Sequence, residues 1–242
     1  MDESEQDLDR TLRRQEASDA VTGLGWRYVL GLLRTSLPAG SLAGAADIAG
    51  RVVAACGAEA DGRLWIDLRR DQLVLSLQSP ATASVTRREV ALARRISEVA
   101  GGLGLATGAG VGGAPRSVQV LEVAIDAMDI AAVRPFWKAA LGYADKPGHS
   151  GPEDALVDPV GQGPAIWFQQ MDVPRPQRNR IHLDISVPHD EAQHRIQATL
   201  AAGGRLVSDA EAPAFWVLAD PEGNEACITT WQGRDPPATM PT

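Results

Sequence analysis

The chain has four histidines. One of them, His182, lies in the run "RNRIHLDIS", residues 178–186, whose apolar–polar alternation predicts a β-strand. Alternation puts His182 and Asp184 on one face of that strand and sends Ile181 and Leu183 to the other, into packing. His182 is then either one wall of a binding site, with Asp184 orienting its imidazole, or a core histidine bonded to a neighbouring polar group. His149, His189 and His194 fall in loop or helix-start contexts and are expected at the surface. Cys56 and Cys227 are far apart and form no CxxC pair, which predicts two small buried thiols. Trp137, Trp167, Trp216 and Phe168 can stack on a flat ligand or simply fill a core. Arg178 and Arg180 flank the strand, where they either clamp an anion or stay solvated. One GxGxxG match, Gly108–Gly110–Gly113, follows a predicted helix and precedes a predicted strand. A dinucleotide loop needs the reverse order, so the match carries no nucleotide site.

The elements that must position these groups come from a chain of 242 residues, enough for one large domain or two small ones. A hydrophobic share of 44% suffices for packed cores. A net charge of −8 argues against nucleic acid or an anionic membrane as partner. No run of 18 apolar residues occurs, so no membrane span is expected. The start, "MDESEQDLDRTLRRQ", is charged and lacks the apolar core of a secretory signal, which predicts a cytoplasmic protein. The stretch "GGLGLATGAGVGGAPRS", residues 101–117, reads as a Gly-rich linker. Five segments follow: 1–20, a loose charged helix or disorder; 21–100, a small α+β domain; the linker 101–117; 118–232, a second α+β domain; and a flexible, proline-rich tail, 233–242.

In the first domain "WRYVLGLL" predicts one strand. "SLAGAADIAGRVVAACGA" predicts a helix opening after Pro38–Gly40. "RLWIDLRRDQLVLSLQ" predicts two strands around a tight turn at Arg70–Asp71. Leu64, Ile66 and Leu68 share one face of the first of these strands, and Leu73, Leu75 and Leu77 one face of the second. "TRREVALARRISEVA" predicts a helix with a capping box, Thr86 and Glu89, and a buried stripe of Val90, Ala93, Ile96 and Val99. This β, α, β, β, α order, with Trp26 and "REVALARRI", resembles the pterin-4a-carbinolamine dehydratase family over about 75 residues. That family's chemistry depends on a His-His-Pro run before the hairpin and a Thr-His pair after it. Here those places hold Gly62–Arg63–Leu64 and Ser79–Pro80. Arginine does not exchange protons near neutral pH. These departures from the family count against dehydratase catalysis and favour a retained scaffold for pairing or binding.

Residues 118–232 repeat internally. "LEVAIDAMD", "AALGY" and "VDPVGQGPAIWFQ" return as "IHLDISVPHD", "AAGGR" and "ADPEGNEACITTW", at offsets of about 60 residues. Asp158-Pro159-Val160-Gly161 recurs as Asp220-Pro221-Glu222-Gly223. Two βαβββ units account for the pattern, and each must cover the other's exposed sheet face. If Asp129 caps the first helix, Pro135 falls in its second turn, which predicts a kink or a late helix start.

With "FWKAALGY", "PAIWFQQ", "NRIHLDISV" and "DPEGNEACI", this half resembles the glyoxalase, bleomycin-resistance and extradiol-dioxygenase superfamily, the vicinal oxygen chelate fold. The resemblance implies a cleft lined by the first and last strands of each repeat. It places Glu122 and Gln169 there from repeat one, and His182 and Cys227 from repeat two, with Trp167 and Trp216 beside them. Metal enzymes of the superfamily carry His or Gln on first strands and Glu on last strands. Here Glu122 and His182 are the implied ligands of a divalent metal, Gln169 is a weak third, and a thiol at the usual carboxylate place favours a softer metal or none. Three functions stay open: a lyase, isomerase or dioxygenase acting on a small metabolite; a binding module that sequesters a small molecule or drug without chemistry; and a pterin dehydratase or pterin binder. Homo-oligomers would form through the first domain.

Overall fold

The computed structural model describes residues 7–110, 118–175, 177, 181–187, 189–230 and 232–233. The chain divides into two compact units, residues 1–120 and 121–242. Both are α+β. No helix among the described residues is long and apolar enough to cross a membrane.

The first unit runs α1 (Arg14–Thr22), β1 (Arg27–Val29), β2 (Leu32–Pro38), α2 (Leu42–Cys56), a 3-10 turn (Gly57–Ala60), β3 (Leu64–Leu68), β4 (Gln72–Leu77) and α3 (Arg87–Gly102). Its sheet is antiparallel, in the order β1-β2-β4-β3. Alternate leucines of β2 and β4 (Leu33, Leu37, Leu73, Leu75, Leu77) are fully buried, because period-two side chains point to the helical side. They meet Val52 of α2 and Ala93 and Ile96 of α3 in one core, which includes the fully buried Trp26, donating to Ser97 Oγ at 3.0 Å. Leu64 and Ile66 join that core as expected, whereas Leu68, at the strand end, is exposed. The capping box Thr86/Glu89 is formed.

Three expectations need correction here. "WRYVLGLL" is not one strand. Leu30 (φ 48°) and Gly31 (φ 80°) both turn left-handed and fold it into the β1–β2 hairpin. Leucine at the first turn position hides that signal from the sequence. Next, α1 is a defined helix with Ala17 and Val21 buried, rather than a loose one, although residues 1–6 lie outside the described set. Finally, α3 extends to Gly102, and Gly108 exchanges backbone hydrogen bonds with Ser36 of β2 (2.9 and 3.0 Å). The Gly-rich stretch is therefore tied down as far as residue 110. Its remainder, 111–117, and most of the tail lie outside the described residues.

The second unit contains two βαβββ repeats. The first has β5 (Glu122–Ala127), α4 (Ile130–Leu141), β6 (Ala144–Asp145), β7 (Leu156–Val157) and β8 (Ala165–Gln170). The second has β9 (Leu183–Ser186), α5 (Ala192–Ala201), β10 (Arg205–Ser208), β11 (Phe215–Ala219) and β12 (Glu225–Thr229). The sheets run β5-β8-β7-β6 and β9-β12-β11-β10, with first and last strands parallel neighbours in each. One core serves both: Ile125, Val133, Phe136, Ile166 and Phe168 of the first repeat pack with Ile196, Leu218 and Ile228 of the second. Neither repeat has a core of its own, so the pair is the folding unit.

The repeated Asp-Pro-x-Gly is a turn device. Asp158 accepts from the backbone N–H of Val160, Gln162 and Gly163 at 2.7–2.9 Å. Asp220, fully buried, accepts from Glu222 N, Asn224 N and the indole Nε1 of Trp137. The Glu222 carboxylate in turn accepts from Met128 N and Asp129 N at the start of α4 (2.9 and 2.6 Å), so the second repeat caps the first repeat's helix. Asp129 is the N-cap, and α4 begins at Ile130 with Pro135 inside it. The late start predicted from Pro135 does not occur, because the doubly supported N-terminus holds the first turn in place.

Candidate functional site

Strand alternation sorts the candidate residues. In β5 and β8, Val123, Ile125, Ile166 and Phe168 face the helices, while Glu122, Ala124, Trp167 and Gln169 are exposed on the open face with half-buried Asp126 and Ala165. The parallel register sets Glu122 beside Ala165, Ala124 beside Trp167, and Asp126 beside Gln169. Glu122 and Gln169 are therefore about 13 Å apart along the strands, four residues at about 3.3 Å each. The structure does not bring them together. Asp126 pairs with Arg175 at 2.9 Å.

In the second sheet Leu183 and Ile185 face the core, and His182 and Asp184 are exposed on the open face. Cys227 stands beside Asp184 on the neighbouring strand β12. Side by side in a parallel ladder, the two side chains share a face. His182 Nε2 lies 3.3 Å from an Asp184 carboxylate oxygen. One donor atom each from His182, Asp184 and Cys227 lie within 4.8 Å of one another. Cys227 is 6% exposed and forms the floor, whereas the His182 and Asp184 side chains are 49% and 60% exposed and form the rim. One position down, Ser186 Oγ and Thr229 Oγ1 are hydrogen-bonded at 2.8 Å.

Several placements differ from expectation. Trp216 shares a face with Leu218 and Ile228 and packs on the core, away from the open face. Trp137 and Phe168 are core residues as well, and of the four candidate aromatics Trp167, 38% exposed beside Ala124, is the one on an open sheet face. Ile181 is 80% exposed instead of packed, because the β9 ladder begins only at Leu183. Glu122 is not part of the converging cluster, and Asp184, expected only to orient the imidazole, is. Its partnership with Cys227 depends on the register between β9 and β12, which the sequence does not display. Arg178 and Arg180 lie outside the described residues. His149, His189 and His194 are exposed and Cys56 is buried, as expected.

The donor types (imidazole nitrogen, carboxylate oxygen and thiol sulfur) are those of zinc-type sites. Bonds of about 2.0–2.3 Å imply donor separations of about 3.5 Å. The cluster is roughly 1 Å wider than that, a gap rotations of the two exposed rim side chains can close.

Residues 122–229 match the family model described as a glyoxalase-like domain. The match opens where β5 opens and closes where β12 closes. This half of the chain is also similar to several solved structures. A glyoxalase/bleomycin resistance protein/dioxygenase family enzyme from Burkholderia phytofirmans is 20% identical over 45% of this chain and 95% of its own, with a TM-score of 0.38. A glyoxalase-related enzyme from Fulvimarina pelagi is 22% identical over 46% and 87%, with a TM-score of 0.37. A mutant of the fosfomycin resistance protein FosX from Listeria monocytogenes, complexed with Mn(II) and a dihydroxypropylphosphonic acid, is 11% identical over 46% and 90%, with a TM-score of 0.36. No curated protein matches the chain.

Proposed function

We propose that the glyoxalase-like domain binds a small organic molecule on the open faces of its paired sheets, at a divalent-cation centre made by His182, Asp184 and Cys227. The convergence of three donor atoms within 4.8 Å carries this reading. Three protein ligands leave a coordination position open towards solvent, the arrangement of catalytic rather than structural sites. A cation held there would polarise a carbonyl, hydroxyl or phosphonate oxygen of the ligand. The chain's own residues do the rest. Trp167 offers an aromatic wall on the open face of the first sheet, with Ala124 and Ala165 leaving room beside it. Glu122, on the same face, supplies a carboxylate for the ligand's polar groups. The test is the metal content of purified protein. About one divalent cation per chain is expected, lost in His182→Ala while the fold persists. Equal cation binding by His182→Ala would remove the centre from its assigned place.

We further propose that residues 21–100 are a pterin dehydratase-like scaffold that serves binding or self-association and has lost the dehydratase chemistry. Arg63, where that family carries histidine, is engaged by the fully buried Glu89. The helix, hairpin, helix, hairpin, helix order supports the scaffold reading. An assay with the 4a-hydroxy pterin should show turnover at the spontaneous rate. Faster turnover in protein free of host dehydratase would overturn it.

A further inference from the structure

We infer that this centre is a thiolate site built wholly by the second repeat, selecting a borderline-soft cation, zinc or cobalt(II), over manganese or magnesium. The inference rests on the cation-centre reading above and goes beyond it in naming the metal class and the ligand that sets it. The superfamily resemblance implies ligands from both repeats, with oxygen donors on the last strands. The geometry points elsewhere. The first repeat's candidates are divided by register, Glu122 beside Ala165 and Gln169 beside Asp126, and the Glu122 carboxylate is not among the converging donors. The second repeat's three donors are neighbours by construction. Asp184 and Cys227 are paired across two parallel strands, and His182 is two residues from Asp184 on the same face.

Donor type then decides selectivity. Mg²⁺ and Mn²⁺ favour carboxylate, carbonyl and water oxygens, whereas a thiolate favours softer ions. Cys227 is the most fixed of the three, with 6% of its surface exposed on a central strand of its sheet. A cation site would therefore assemble around the sulfur, with the exposed His182 and Asp184 side chains turning to complete it. Binding replaces the thiol proton by the metal, with the proton released to solvent.

The full-length protein titrated with Co²⁺ tests this. A sulfur-to-cobalt charge-transfer band in the near ultraviolet and strong visible d–d bands are expected. Both should survive in Cys56→Ala, whose thiol is in the other unit, and disappear in Cys227→Ser. Zn²⁺ should bleach the spectrum stoichiometrically, and about a hundredfold excess of Mn²⁺ should leave it unchanged. Because Cys227 is buried, Asp184→Asn provides a second variant at the exposed rim, expected to weaken cobalt binding while keeping the charge-transfer band. Cobalt bound without that band, displacement by Mn²⁺, or unchanged affinity in Asp184→Asn would each overturn the thiolate triad and leave a cation centre standing. No binding of any cation would overturn both readings.

Discussion

Arg63 illustrates what a single residue owes to distant partners. Its guanidinium pairs with Glu89, whose side chain is fully buried and also accepts from Thr86 N and Oγ1 at 2.7 and 2.6 Å. Arg63→Ala leaves that carboxylate without its cation. Removing one partner of a buried pair costs about 3–5 kcal/mol, and chemical denaturation of the full-length protein should show a loss of that order. The capping box is legible from Thr86 and Glu89, three residues apart. The arginine that neutralises it is 26 positions earlier and is not legible. The tryptophans make the same point about faces. Trp167→Ala should change stability by less than about 0.5 kcal/mol, as exposed substitutions do, yet weaken capture of a flat ligand. Trp216→Ala, on the core face, should cost on the order of 3 kcal/mol. Thermal melts of the two variants separate these outcomes, and equal destabilisation would contradict the assignment of faces.

At the scale of elements, the two repeats meet through close contacts that forbid growth. A Cβ added at Gly204, between α5 and β10, would lie 2.6 Å from Phe136 Cδ2 on α4 and 2.8 Å from Thr199 O. Gly204→Ala should therefore destabilise by about 1–3 kcal/mol, the usual cost of overpacking, read as a lower denaturation midpoint at unchanged slope. Asp145 ties β6 to α4. Lys138 and Arg134, at 2.8 and 2.7 Å, hold its carboxyl below the usual carboxylate range. A carboxylate with a lowered folded-state value stabilises above its unfolded value, about 4, and the contribution is lost as pH falls through the folded value. Asp145→Asn should melt lower than the wild type at pH 7, and the gap should close in acid below about pH 4. A gap that persists there would mean packing, not charge, is at work.

At the scale of the molecule, the division at Val120/Leu121 separates two cores, each closed on its own residues. A fragment of residues 115–242 should express as a folded protein with one cooperative melting transition. If the proposed cation centre exists, the fragment should keep it, since His182, Asp184 and Cys227 all belong to the second repeat. Aggregation or the lack of a transition would show that the units depend on each other.

The sequence by itself determined what local periodicity and spacing carry. The alternating leucines of β4, the capping box of α3, the repeated Asp-Pro-x-Gly turns and the approximately 60-residue offset together predict two βαβββ units after a smaller α+β unit. The superfamily resemblance, rather than periodicity, implied one cleft lined by Glu122, Gln169, His182 and Cys227. What the sequence could not determine was register and parity. Which side of β11 faces the helices put Trp216 in the core. Which residue of β12 stands beside Asp184 made a triad from one repeat, and the same rule in the first repeat held Glu122 and Gln169 apart. A strand's own pattern fixes only that neighbours alternate. The face that is buried, and the residue across the ladder, are set by the partner strand and the core behind it, and those contacts exist only once the chain has folded.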